Sequence, residues 1–438
     1  MKKRLPNNWV ETELENLSQI QSGGTPSRGV ASYWDGDIPW VKISDIKDIY
    51  ITETEECITK EGLNNSSAKV FKKGTILFTI FATIGKVGIL DIDATTNQAI
   101  VGLTPNKTID RLYLMYVLEN LSSYISTQGK GIAQKNINIS ILKGTLIPLP
   151  PLAEQKRIAD KLDILFGRLE TIRKATDHIP ELIKKFRQQI LTYAVTGKLT
   201  EEWRREKKSN KWKSELASQC CQKVQSGGTP KGGQFENSGI PFLKVYNIVQ
   251  NKIDFEHEPQ YVSTEIQNSQ IKKSIVYPGD VVMNIVGPPL NKVAIVPDTY
   301  PEWNINQAIT LFRTKDYLDN RYLYYFFCEG SPVNSLINQT RGVVGQVNIS
   351  LSQCRNFMIT IPPIEEQKEI ISRVQSLFEK VDIIEQRYQT LKTKLENLPQ
   401  ALLHKAFKGE LVEQLPTDGN AADLLREIEQ LQKSIKKK

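Results

Sequence analysis

The chain has 438 residues, 39% hydrophobic and 24% charged, with 26 Gly and 21 Pro, a composition that excludes a disordered, collagen-like or disulfide-built protein. At ~100–200 residues per domain, this length predicts two to four domains, each with its own core. Cys57, Cys220, Cys221, Cys328 and Cys354 form no CxxC pair, and the three His are far apart, so neither a thiolate nor a His metal site is expected. Free thiols, a basic N-terminus without an apolar core and no run of ~20 apolar residues predict a soluble cytoplasmic protein. The net charge of +8 is a weak pointer to nucleic acid, and most of it lies between 151 and 213, where 16 basic residues face 9 acidic ones.

In chain order, a turn QSGGTP (21–26) leads to a β-branched run, IPWVKISDI (38–46), and then to ILFTIF (76–81), IGKVGIL (84–90) and NQAIVGL (97–103). These read as strands separated by turns. RLYLMYVLENLSSYI (111–125) has helical spacing, and PPLAEQKRI (150–158) starts a long helix after a diproline. Every block then recurs: QSGGTP at 225–230, IPFLKVYNI at 240–248, LNKVAIV at 290–296, NQAITLF at 306–312, QVNISLS at 346–352 after QKNINIS at 134–140, and PPIEEQKEI at 362–370. The chain is a tandem duplication of a unit of roughly 200 residues. Each copy reads as an α+β domain of mixed strands and helices.

From Ile158 a 4-3 apolar stripe runs through Leu162, Leu165, Leu169 and Ile172 to Tyr193, and the second copy keeps the register from Ile370. Such spacing predicts two long helices of ~54 Å forming an antiparallel coiled coil, with kinks at Pro180 and Pro399. The two domains would then be related by a pseudo-two-fold axis, which suits duplex DNA. The domain reading is 1–151, a helix over 152–200, 201–361, a second helix over 362–415, and a helical tail over 416–438 whose role the sequence leaves open.

No phosphate-binding GxxxxGK[ST], GxSxG or HExxH motif is present, so no catalysis is expected. SGGTP lacks the Lys and helix of a phosphate loop and reads as a turn permitting close strand approach. Asn97–Gln98 and Asn306–Gln307 could read adenine, but within apolar runs they read first as buried amides serving the backbone. Lys42 and Lys244, and Lys86 and Lys292, are candidate DNA contacts at matching positions, with a solvated lysine as the alternative. The Gly-rich stretches around 128–136 and 339–348 add Lys130, Gln134, Lys135, Arg341 and Gln346.

With two SGGTP turns, two NQA blocks, two PPxxEQ helix starts and the helix ends AVTGKL (194–199) and AFKGEL (406–411), the whole chain resembles the specificity subunits of type I restriction–modification systems. The resemblance implies two target-recognition domains, each reading half of an interrupted DNA sequence, and two spacer helices that set the gap. It implies a non-catalytic subunit that docks two methyltransferase and two restriction subunits, with S-adenosylmethionine, ATP and magnesium held by those partners. Glu154, Gln155, Arg157, Glu366, Gln367 and Glu369 at the helix starts are its docking candidates. A helical assembly scaffold without DNA reading is the competing reading.

Overall fold

The computed structural model describes residues 5–128, 137–209, 211–233, 235–339 and 348–436. It divides into two compact units, Met1–Asp177 with Thr390–Lys438, and His178–Gln389.

The first unit is built on a five-stranded sheet in the order Ser18–Ser22, Ile100–Pro105, Ile76–Thr79, Val87–Leu90, Tyr50–Ile51. Ile76–Thr79 is central and buried at all four positions, so its run ILFT is apolar on both faces, as a doubly covered strand requires. Alternation still sorts the side chains: Ile76 and Phe78 face a core shared with the helix Arg111–Gln128, whereas Leu77 joins Val41, Ile46 and Leu90 on the other face. A three-stranded sheet holds Glu56–Ile58, Trp34–Val41 and Thr95–Thr96. The strand Val10–Glu13 pairs antiparallel with Leu146–Leu149, just ahead of the diproline.

The second unit repeats this plan. Its main sheet runs Cys221–Ser226, Ile309–Thr314, Val281–Asn284, Val293–Ile295, and Lys213–Leu216 pairs with Met358–Ile361. Val281 and Met283 face the helical core and Val282 the other one. The helix matching Arg111–Gln128 is divided here: Asn320–Glu329 stops at Gly330, whose φ of 91° ends it in the left-handed region, and Ser331–Gln339 follows.

The first long segment is two helices, Leu152–Thr176 and Ile179–Val195. Pro180 sits in the first turn of the second helix, where its missing N–H removes no hydrogen bond. The second segment is one helix, Ile364–Ala406, which runs on through Pro399. Within the second unit, Arg187 pairs with Asp382 and Glu385 while Arg373 donates to the Leu199 carbonyl, so Ile179–Val195 and the start of Ile364–Ala406 lie antiparallel. The apolar stripe is core beside the globular parts, where Ile158, Leu162, Ile190, Ile370, Val374 and Val381 are buried; farther along, Phe186 and Ile384 are half-exposed.

The tail has a definite place. Ala421 and Ile428 are buried in the core of the first unit, with Leu411, Val412 and Leu424 packed against it. The Ala421 amide donates to the Asn8 carbonyl, joining the tail to the start of the chain.

Candidate nucleic-acid interface

The repeated blocks assemble into the same construction twice. In the first unit the turn after Ser18–Ser22 lies on the NQA segment: the Gly23 amide donates to the Ile100 carbonyl and the Gly24 amide to the Thr96 carbonyl. In the second unit Gly227 donates to Ile309 and Gly228 to Ile305. A Cβ on Gly23 would stand 2.0 Å from Thr96 Oγ1, and one on Gly227 would stand 2.0 Å from the Asn306 carbonyl oxygen. Close approach is therefore what these glycines provide, as the turn reading required.

The two amides of NQA divide their work. Asn97 Oδ1 accepts from the Ala99 amide and Asn306 Oδ1 from the Ala308 amide, so both Asn serve the backbone, as expected. Gln98 and Gln307 are exposed instead. Thr25 donates its hydroxyl to Gln98 Oε1, and Thr229 does the same to Gln307 Oε1.

What surrounds this frame differs between the units. In the first, Trp40 Nε1 donates to the Gly24 carbonyl, and the Arg28 guanidinium lies 3.7 Å from the centre of the Trp34 ring. Lys42 pairs with Glu55 and Glu56, each at 2.8 Å, and their hydrogen bonds raise its pKa. In the second, Lys244 lies 4.5 Å from the centre of the Phe235 ring. Lys42 and Lys244 are both half-buried.

Lys86 and Lys292 occupy another role. Lys86 Nζ donates to the carbonyls of Ile43 and Ile46, both at 3.2 Å, and Lys292 Nζ to that of Val245 at 3.4 Å. Both are half-buried, tying the turn after the IPWV or IPFL strand to the hairpin beside it. Each ammonium thus has carbonyl partners within the fold, two for Lys86 and one for Lys292. Lys130, Gln134, Lys135, Arg341 and Gln346 lie outside the described residues.

The PPxxEQ helix starts are also corrected. Glu154, Gln155, Glu366 and Gln367 have 0% exposure. Gln155 accepts from the Asp110 amide and donates to the Pro150 carbonyl; Gln367 accepts from Asp319 and donates to Pro362. Each Gln thus ties the start of the long helix to the start of the domain helix. Glu366 accepts from Thr200 Oγ1 at 2.7 Å, Arg204 Nε at 2.9 Å and Trp212 Nε1 at 2.9 Å. Glu154 accepts from Trp9 Nε1 at 3.0 Å, Asn8 Nδ2 at 3.3 Å and Gln414 Nε2 at 3.0 Å. A side chain without exposed surface presents nothing to a partner, so these four hold the domain to its helix. Arg157 makes a two-pronged pair with Asp418 at 2.6 and 2.7 Å, and Glu369 accepts from Arg373 at 2.6 Å.

The two indoles reveal an equivalence that the repeated blocks missed. Trp9 follows Asn8 and Trp212 follows Lys211, in NNWVETEL and NKWKSEL, and each donates to its unit's buried Glu. In the second unit the donors come from the linker 200–212; in the first they come from both chain ends.

A model of the type I restriction modification DNA specificity domain matches residues 6–181 and again residues 211–393. The chain belongs to that family. Among its relatives, the EcoKI specificity subunit of Escherichia coli K12 is 26% identical over 97% of this chain and 96% of its own length. The MjaIX specificity subunit of Methanocaldococcus jannaschii is 26% identical, over 94% of this chain and 96% of its own. The fold is shared with the HsdS subunit of Thermoanaerobacter tengcongensis, at a TM-score of 0.65, 19% identity and coverage of 94% and 99%. A chain from a structural study of assembly and conformational transition in a type I system matches at 0.68, with 20% identity and coverage of 93% and 100%. The two matched spans contain the two turn-and-NQA constructions, so these lie in DNA specificity domains. No helix is long and apolar enough to cross a membrane, among the described residues.

Proposed function

We propose that each unit reads one half of an interrupted duplex DNA target, and that the chain itself performs no chemistry. The observation that carries this reading is the duplicated specificity domain with one shared frame and different side chains between the units: Arg28 on Trp34 and Lys42 with Glu55 in the first, Lys244 on Phe235 in the second. A shared frame orients two domains alike on the duplex, and different side chains around it suit different base sequences. Lys130, Gln134, Lys135, Arg341 and Gln346 are kept as DNA contacts in this reading on the Gly-rich, basic and amide-bearing sequence around them.

In this reading the chain works with methyltransferase and restriction subunits, two of each, and the cofactors S-adenosylmethionine, ATP and magnesium belong to those partners. Docking falls to the solvent-facing sides of the helices Leu152–Thr176 and Ile364–Ala406, because the Glu and Gln side chains at their starts are buried. Nearly equal numbers of basic and acidic groups in the domains, 16 and 15 over residues 1–150, support weak DNA binding by the chain alone, with the partners adding phosphate contacts.

The test is genome-wide mapping of adenine methylation after co-expression of this chain with its methyltransferase. One interrupted motif with two dissimilar halves and a fixed gap is the expected result. A stable complex that leaves the genome unmethylated would overturn the reading.

A further inference from the structure

At the end of the first sheet away from the turn and the NQA segment lies a cleft of about 440 Å3. It opens where Thr75 leads into Ile76–Thr79 and Ile100–Pro105 ends, beside the starts of the helices Arg111–Gln128 and Leu152–Thr176. At ~3.4 Å per residue, the strand Ile100–Pro105 puts it roughly 17 Å from the place where Gly23 meets Ile100. Lys72, Lys73, Lys107, Arg111 and Lys156 line the cleft, all of them exposed. Lys72 pairs with Asp93 and Lys73 with Asp91, each at 2.8 Å. Lys107, Arg111 and Lys156 have no carboxylate partner among the described residues. Asp110 also lines the cleft, with its Oδ1 accepting from the Tyr113 amide.

The second unit builds the same frame without these charges. The Gly74 and Gly279 amides donate to the Leu90 and Val296 carbonyls, and Gln155 and Gln367 accept from the Asp110 and Asp319 amides. At the places of Lys72, Lys73, Lys107 and Arg111 stand Tyr277, Pro278, Asp316 and Asn320. Asn320 Nδ2 donates to the Gly279 carbonyl at 2.8 Å, and Lys368, the counterpart of Lys156, pairs with Glu365 at 3.3 Å. The domain therefore folds with neutral or acidic groups here, and no structural need gathers the cations in the first unit. A lone exposed lysine is simply solvated, but cations converging on one concave site repel one another and attract an anion.

We propose that this cleft receives an acidic segment of the methyltransferase subunit that docks at the first unit, its carboxylates pairing with Lys107, Arg111 and Lys156. The inference rests on the docking given above. Lys156 lies exposed on Leu152–Thr176, so the cleft continues the helix face assigned to that subunit. Its distance from the turn sets it apart from the DNA-reading frame. Its lining has no aromatic side chain on which a nucleotide base could stack, which leaves charge as the means of recognition. Gly74 makes room for one of the cations: a Cβ there would stand 2.6 Å from Arg111 Cζ. Only the docking event at the first unit then carries this contact, and that event is the more sensitive to salt.

The experiment titrates the full chain with the methyltransferase subunit at several salt concentrations and resolves the two docking events. One variant combines Lys107→Gln, Arg111→Gln and Lys156→Gln, which removes the charges. A second combines Lys107→Asp and Arg111→Asn, the residues that the second unit already accommodates, with Lys156→Glu. The neutral variant should weaken one event about tenfold, the scale of three exposed ion pairs, and leave the other unchanged. The salt dependence of the weakened event should flatten. The second variant should weaken the same event further. Thermal melting and binding of the cognate duplex by the chain alone should match the wild type in both, and ATP should bind neither variant nor wild type.

Unaltered docking in both variants, or a loss shared equally by the two events, would overturn the proposal. So would normal docking with weaker duplex binding, or ATP binding that the variants lose, since either makes the cleft a phosphate site. A lowered melting temperature in both variants would make the cations structural and overturn it as well. Those results leave DNA reading and docking on the helices intact, whereas a wild-type chain that binds no methyltransferase removes the docking reading together with this inference.

Discussion

Replacing Glu366 by Ala tests the reassignment of the PPxxEQ helix start most directly. The carboxylate has 0% exposure and accepts from Thr200, Arg204 and Trp212 at 2.7 to 2.9 Å. Alanine leaves the half-buried Arg204 guanidinium and Trp212 indole N–H, and the buried Thr200 hydroxyl, without their acceptor. Removing one member of a buried ion pair costs ~3–5 kcal/mol, and the 28% exposure of Arg204 puts this variant at the lower end. That is a large part of the ~5–15 kcal/mol stabilising a domain. Glu366→Gln keeps the shape but turns an NH2 group toward donors, and should cost about 1.5–3 kcal/mol. Urea unfolding followed by tryptophan fluorescence measures both. With a slope of ~2 kcal/mol/M, the Ala variant should move the midpoint of the second unit down by about 1.5 M. A Trp212→Phe partner variant supplies the double-mutant cycle, and a coupling above ~0.5 kcal/mol locates the effect in this network. The reasoning fails if Glu366→Ala unfolds with the wild type while losing its methyltransferase, since that outcome describes a docking contact.

Glu154→Gln should cost less than Glu366→Gln, because Glu154 takes its hydrogen bonds from the neutral donors Trp9, Asn8 and Gln414; parallel urea curves compare them. Lys86→Glu should destabilise the first unit by about 1–3 kcal/mol, having lost two internal carbonyl partners, and thermal melting should show this before any DNA titration does. Gly23→Ala should destabilise by more than ~2 kcal/mol, since its Cβ would meet Thr96 Oγ1 at 2.0 Å, whereas Gly232→Ala, with nothing within 4 Å but a φ of 72°, should cost only about 1 kcal/mol. The hydrogen bond from Arg157 holds the Asp418 carboxyl below its ordinary range. Its stabilisation is therefore complete above the unfolded value of ~4 and fades as pH falls through the lowered folded value, so proteolysis of the tail should rise below pH ~4 in the wild type, and Asp418→Asn should remove that pH dependence.

The sequence alone determined the duplication, the helix starts after the diprolines and the role of the turn glycines. These are local signals: periodicity, prolines, and Gly–Gly pairs repeated at one spacing. It also supported the family resemblance, which rests on the order of those signals. The partners of the polar side chains were beyond it. An exposed and a buried Glu at a helix start read alike in sequence, and only the fold brings Trp212 and Arg204 to Glu366, more than 150 positions away. A lysine in a turn likewise reads as solvated until the turn after IPWV places two carbonyls around Lys86. The NQA blocks were half legible, because an apolar run predicts burial for the segment but does not say which of two adjacent amides faces out. The tail shows the limit most plainly. Its helical spacing is visible in the residues, but what it packs on is decided by the first unit, where the core and the buried Glu154 are completed by groups from the two ends of the chain. Local pattern sets which face of an element is apolar, and only the closed tertiary structure sets which charges lose their water and what replaces it.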